Sequence, residues 1–426
     1  MKLLIDPQEL NDRIALNYNR FATGDYYSFE NIFSPADYDW YGDKEGRSLL
    51  AFVSHYKISR RKLPCMDLLV SAWDSRVNEK GFFGPDYGEM IHEQQLSGHS
   101  WVLRGLCEHY EQFGGEDDLR RIKAICENLF LPLNGRFSGY PAERSDENKG
   151  GVSGSESCTI GNWILSSDVG CAFMAIDGLS HAYKVLKDGR LLDLLDEMIP
   201  AFEKIDKVGI QMQTHCSLTA GRGMIRLFEL TGSEKYLLSA KKLWTLYVYG
   251  GGLTETFQNL NWWGRPDSWT EPCAIVDSIM LSIGLYGATS DEEFRSFAAK
   301  VFHNGLSTAQ RSNGGAGTDT VVRGDGKDTL VADIPEAFFC CTMRLAEGLW
   351  FINENKDLLR AETEGRVTKK GRIYSDGDII YAEVSPNAEE FAEKFVFVDG
   401  HKLCPIVKFY RVPESIWPEI KQKILF

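Results

Sequence analysis

The residues best suited to chemistry in this chain are thiols and carboxylates gathered in a few short motifs. Glu271-Pro272-Cys273 sets a carboxylate and a thiol on either side of a proline. Proline is favoured at the first helical position, where its missing N–H is not needed, so the triplet reads as the opening turn of a helix. Cys340-Cys341 opens another apolar-periodic stretch. Neighbouring cysteines do not bond each other comfortably, because a disulfide needs more separation than one peptide unit provides. Three thiolates and one carboxylate fit tetrahedral zinc. A helix N-terminus favours thiolate through its macrodipole and free N–H groups. Zinc deprotonates a coordinated thiol outright, and a thiolate held there can be a metal ligand and also an attacking group.

Glu255 follows Gly250-Gly251-Gly252 in an irregular stretch. A glutamate close to a nucleophile and shielded from water keeps its proton near neutrality and can serve first as general acid, then as base. Singly, these motifs carry little weight. Most cysteines at helix starts are small buried hydrophobes, and most loop glutamates are solvated. Their force comes from sharing one place in the fold.

That place follows from a recurring unit. An apolar-periodic helix ends in an aromatic residue, passes a short Gly/Ser/Asp turn and gives way to an acidic-capped second helix, as at Tyr110 to Leu119, Tyr183 to Leu192, Phe228 to Leu237 and Tyr286 to Phe294. These are helical hairpins with proper stop and start signals. The first helix of each pair is apolar or small nearly all round and should be buried, and the second is amphipathic and half-exposed. Further helices are read at 47–61 with 65–77, and a last inner one at 340–352. The long stretches 134–167, 248–270 and 310–339 each follow an outer helix and precede an inner one. In a closed ring of hairpins they gather on one face, at the N-termini of the inner helices. Loops of this length in a compact domain are usually functional. About six pairs make a mainly α protein, an (α/α)6 toroid over residues 1–355. The strand-like runs Gly371-Arg372-Ile373-Tyr374, Ile379 to Val384 and Phe395 to Val398 make 356–426 a short β-rich C-terminal extension.

Composition limits the partners. The chain has 426 residues, with 47 Lys plus Arg against 61 Asp plus Glu, a formal charge of −14. That field repels phosphate backbones and anionic headgroups, so neither nucleic acid nor membrane is an expected partner. No window approaches eighteen apolar residues, so no membrane span is expected, and the apolar stretch before Asp6 is too short for a signal-peptide core, so the sequence reads as cytoplasmic. Ten cysteines without the spacing of a disulfide scaffold fit a reducing compartment. Trp262 and Trp263, in Asn261-Trp262-Trp263-Gly264, are candidates for stacking on sugar rings.

The run Gly252-Leu253-Thr254-Glu255-Thr256-Phe257, then Glu271-Pro272-Cys273-Ala274, then Cys340-Cys341 resembles the β-L-arabinofuranosidase family of glycoside hydrolases, family 127. The resemblance spans roughly residues 40–385. It implies a catalytic (α/α)6 barrel with Zn2+ held by Glu271, Cys273, Cys340 and Cys341, with Cys340 as nucleophile and Glu255 as acid/base. Gly98-His99 is similar to the family's Gly-His on an inner helix, whose histidine contacts the sugar. The chain departs from the family's pattern elsewhere. Thr342-Met343-Arg344 follows the cysteine pair in place of prolines and an asparagine. Gly170-Cys171 and Thr219 stand where further sugar-contacting histidines are expected, and His215 lies one helical turn from Thr219 on the same face. The β-rich tail is shorter than the family's β-sandwich domains. Catalysis thus reads as retained and sugar recognition as altered.

The implied reaction is retaining hydrolysis of a glycoside or oligosaccharide, with a thiolate in place of the usual carboxylate nucleophile. Three alternatives stand beside it. A toroid zinc enzyme for thiol addition or prenyl transfer would keep a histidine ligand, and no histidine adjoins either cysteine motif. A sugar epimerase or isomerase would use paired histidines, for which His99 and His215 are available. A carbohydrate-binding protein would hold a purely structural zinc.

Overall fold

A computed structural model describes residues 7–34, 40–151, 156–254, 257–311, 313–324, 327–334, 336–338 and 340–359, and strands at 365–368, 371–376, 379–384, 397–398, 401–402 and 409–411. Twelve of the described α-helices have seven residues or more: α1 Pro7–Thr23, α2 Asp43–Ser59, α3 Met66–Ala72, α4 Glu93–Phe113, α5 Glu116–Ile125, α6 Ala175–Leu186, α7 Gly189–Glu203, α8 Thr214–Thr231, α9 Glu234–Tyr249, α10 Pro272–Thr289, α11 Glu292–Lys300 and α12 Cys341–Asn355. By contact the chain forms two compact units. One comprises Met1–Arg20, Leu253–Leu260 and Pro266–Phe426, and the other Phe21–Gly252 with Asn261–Arg265.

In the second unit α2, α4, α6 and α8 pack in succession, each inner helix against the next, while α5, α7 and α9 cover α4, α6 and α8. The inner helices touch backbone to backbone because small residues face each other. A Cβ on Gly46 of α2 would stand 2.3 Å from the Trp101 carbonyl carbon of α4, and one on Gly178 of α6 would stand 2.6 Å from the Ser100 oxygen. The small residues that make the inner helices look featureless in sequence are what lets them approach. The turns follow their chemistry. Lys187 ends α6 in the left-handed conformation, after which the Asp188 side chain accepts from Arg190 N–H at 3.0 Å to start α7. A three-stranded sheet, in which Trp163–Ser166 pairs with Ile91–His92 and Glu156–Ile160, leads into α4.

The first unit holds α1, α10, α11 and α12. Among the described residues no helix follows α12, and α1 supplies contacts from far earlier in the sequence. The Asn17 side-chain amide donates to Gly314 O at 2.8 Å and Thr342 O at 3.5 Å. Sequence patterning had not marked α1 as a helix, since its mates lie far away along the chain. α10 is long and apolar enough to cross a membrane by length and composition, but 67% of that stretch is buried within the protein. Its hydropathy is that of an inner core helix. Strands Thr318–Gly324 and Lys327–Ile334 form a hairpin between α11 and α12. Beyond α12, strands at Gly365–Thr368, Gly371–Asp376, Ile379–Val384 and Phe409–Arg411 form one antiparallel sheet, including two of the runs expected there. Phe397–Val398 lies in a separate two-stranded pair.

Candidate metal and catalytic site

Glu271 is the N-cap of α10, with extended backbone (φ −131°), Pro272 takes the first helical position and Cys273 follows. Cys340 is the N-cap of α12 and Cys341 its first residue. Two helix starts therefore deliver all four side chains, and one ligand atom from each lies within 4.8 Å of every other. Cys273 Sγ is 3.7 Å from Cys341 Sγ, which is 3.5 Å from Cys340 Sγ. Thiolates at the zinc–sulfur distance of about 2.3 Å on a tetrahedron stand about 3.8 Å apart. The group could hold a metal ion, and three sulfurs with one carboxylate are donors of a soft-to-borderline site. Glu271, Cys273 and Cys341 are buried, and Cys340 is partly open. Burial first, and the neighbouring thiols second, push the Cys273 thiol well above its ordinary pKa; burial is also the main cause of the rise at Cys341. Anions packed this closely need a cation, which would reverse that preference.

The surroundings hold the donors from several sides. Glu271 N–H donates to Asn259 Oδ1 at 3.0 Å, and Thr270 N–H donates to Asp319 O at 2.7 Å. At α12, the Thr342 hydroxyl accepts from Ala316 N–H at 2.9 Å and donates to Glu336 Oε1 at 3.1 Å, and Glu336 also pairs with Arg20 at 2.9 Å. One turn deeper, Arg344 of α12 bonds Asp277 of α10 at 2.5 Å and Glu347 of its own helix, all three fully buried. Arg344, one departure from the expected pattern, therefore ties α12 to α10, and Thr342, another, ties α12 to the segments at Ala316 and Glu336. Asn259, Asp277, Asp319 and Glu336 were not singled out in the sequence. Nothing short of the folded loops marks them, although Asp277 and Arg344 lie four and three residues beyond a cysteine ligand on their helices.

The other candidate residues are placed as follows. Glu255 lies outside the described residues. The segments flanking it form a tight hairpin, with Thr254 N–H donating to Gln258 O at 2.8 Å and a bridge between Leu253 and Asn259. His99 is fully buried on α4, where Nδ1–H donates to Gln95 O at 2.7 Å and Nε2 accepts from Phe83 N–H at 2.9 Å. Both ring nitrogens thus meet backbone, and burial lowers its pKa to about 4, leaving a neutral ring. His215 of α8 stacks on Trp101 with centroids 5.7 Å apart, accepts from Arg47 at Nε2 (3.5 Å) and meets the Thr219 hydroxyl at Nδ1 (3.3 Å). Asp43 holds Arg47 at 2.8 Å, a charged pair one helical turn apart that sequence reading passed over. Trp262 and Trp263 are 0% exposed. Trp263 Nε1–H donates to Ser217 Oγ at 3.0 Å, so in this conformation neither indole offers a face to a ligand.

No protein-family profile matches the sequence, and no curated protein matches it. Solved structures do match in fold. A GH127 β-arabinofuranosidase superposes with a TM-score of 0.54 at 13% identity over 90% of this chain and 68% of its own. A cellobiose 2-epimerase from Bacillus thermoamylovorans B4167 gives 0.54 at 15% identity over 82% of this chain and 98% of its own. An unsaturated glucuronyl hydrolase specific for heparin gives 0.55 at 11% identity, covering 82% and 97% respectively. The fold is that of the (α/α)6 toroids, mainly helical with few strands. At these identities the likeness establishes the fold and leaves the reaction to the site.

Proposed function

We propose that this chain is a retaining glycoside hydrolase that acts on a β-L-arabinofuranoside or a related sugar, with Cys340 as nucleophile and Glu255 as general acid/base. The observation that carries the reading is the convergence of Glu271, Cys273, Cys340 and Cys341 at two helix starts, with one ligand atom from each within 4.8 Å of every other. In this reading those four residues hold Zn2+, residues 1–355 are the catalytic barrel and 356–426 an extension. Zinc, when bound, keeps the thiols ionised and lowers their basicity, so that sulfur can both attack and leave.

The residues act in two steps. Glu255 gives its proton to the glycosidic oxygen as Cys340 sulfur bonds to the anomeric carbon and the C–O bond breaks. Water then gives a proton to Glu255 and bonds to the same carbon, and the C–S bond breaks to return the thiolate. Cys340 is the most accessible of the three thiols, as the nucleophile must be. The epimerase reading needs His99 and His215 as acid and base. It is disfavoured because His99 already spends both ring nitrogens on backbone groups. A scaffold with structural zinc would bind sugar without turnover.

The test is metal analysis with a glycosidase panel. One zinc per chain and Glu255-dependent release from an activated aryl β-L-arabinofuranoside or related pentoside are expected. Cys340→Ser should lower turnover by at least about a hundredfold. Full activity in that variant, or zinc-free protein prepared without chelators, refutes the assignment.

A further inference from the structure

Asp319 joins three segments of the first unit. Its backbone pairs with Thr270 in both directions, Thr270 N–H donating to Asp319 O at 2.7 Å and Asp319 N–H donating to Thr270 Oγ1 at 3.1 Å. Its carboxylate accepts from Arg311 Nη2 at 2.8 Å and from Gln258 Nε2 at 3.4 Å. Thr270 precedes the ligand Glu271, and Gln258 precedes Asn259, whose side chain accepts from Glu271 N–H. The result is a closed circuit: the paired segments around Leu253 and Asn259, the segment leading to Glu271, and Asp319 between them. Asp319 and Gln258 are fully buried, so water cannot replace either bond. A bond to a charged acceptor is roughly twice as strong as a neutral one.

The hairpin itself is tight. Gln258 N–H donates to Thr254 Oγ1 at 3.0 Å, and Phe257 turns the chain in the left-handed region, at φ 58°. These bonds hold Leu253 and Thr254 to Gln258 and Asn259, and the outside ties run through Gln258 and Asn259. We infer that Asp319 is a positioning residue: its carboxylate, anchored by Arg311, sets the segment 257–259 that follows Glu255 against the segment that leads to Glu271. This rests on the acid/base and ligand roles proposed above only for its effect on turnover. The mechanical link stands on the contacts alone.

Hydrogen exchange on the full-length chain tests it. In Asp319→Asn the exchange of amides in 253–260 and 268–273 should rise about ten- to a hundredfold, the loss expected when a bond to a charged partner is broken. Amides of α4 and α8 should not change. Gln258→Leu, which leaves the Asp319–Arg311 pair in place, should loosen the hairpin alone, and it carries the test if Asp319→Asn fails to fold. With an activated pentoside, Asp319→Asn should lower kcat at least about tenfold at nearly constant KM and shift the acid/base limb of the pH profile. Unchanged exchange in both variants overturns the inference. Faster exchange with a wild-type protein that cleaves no glycoside upholds the link and rejects the proposed reaction.

Discussion

Replacing Arg344 by Met removes a buried cation and leaves two carboxylates behind. Arg344 lies between Asp277 and Glu347, and all three side chains are 0% exposed. Methionine fills much of the same volume, so the main loss is electrostatic and not a cavity. Deleting one partner of a buried ion pair costs about 3–5 kcal/mol, because the uncompensated charges cannot reach water. At about 2–4 °C per kcal/mol for a large domain, the melting temperature should fall by roughly 6–20 °C. Calorimetry of wild type and Arg344→Met, with and without a chelator, reads this directly. The drop should persist after chelation, since the pair acts on α10 and α12 whether or not a metal joins them. The triple variant Arg344→Met, Asp277→Asn, Glu347→Gln should regain more than half of the loss. A single variant melting within about 1 kcal/mol of wild type, by the same conversion, refutes the argument. A triple variant no better than the single would assign the loss to packing and not to charge.

Other substitutions probe the remaining supports. Cys273→Ser should abolish stoichiometric zinc, read by elemental analysis after dialysis without chelator. Gly46→Ala puts a methyl group 2.3 Å from the Trp101 backbone, which cannot yield as a side-chain tip would, and should cost at least about 2 kcal/mol in denaturant unfolding. His99 makes stability fall on acidification. Burial lowers its pKa from 6.5 to about 4, so below 6.5 the unfolded chain takes up a proton that the folded chain refuses. Its contribution is whole above 6.5 and is lost towards 4, by up to about 3 kcal/mol for a shift of this size. His99→Gln should flatten this part of the stability profile, and an unchanged profile would count against a neutral buried His99.

The helical pairs were legible because their signals are local. Gly114-Gly115 and Gly232-Ser233 stop one helix and start the next within a few residues, and the structure turns there. The four donors were legible because helix starts fix where Glu271, Cys273, Cys340 and Cys341 begin. What escaped depends on distant partners. Asn259 and Asp319 gain meaning only when the segment at 253–260 and the start of strand Thr318–Gly324 fold against Thr270 and Glu271. Trp262 and Trp263 looked like exposed platforms because their neighbours are loop-forming residues. Yet the loop turns inward: a Cβ on Gly150 would lie 2.2 Å from the Trp262 ring, and Trp263 packs edge-on to Tyr247.

The reach of α1 has a consequence for biosynthesis. Asn17 bonds Gly314 and Thr342, 297 and 325 residues further along the chain. Translation at about 5–20 residues per second leaves α1 without these partners for roughly fifteen seconds to a minute. Its apolar side, including Leu10 and Ile14, which is buried in the finished protein, must be shielded during that interval. The segment bearing Cys340 and Cys341 leaves the ribosome long after α1. The thiol cluster is therefore completed only after α1 has waited through the synthesis of everything between it and Cys341.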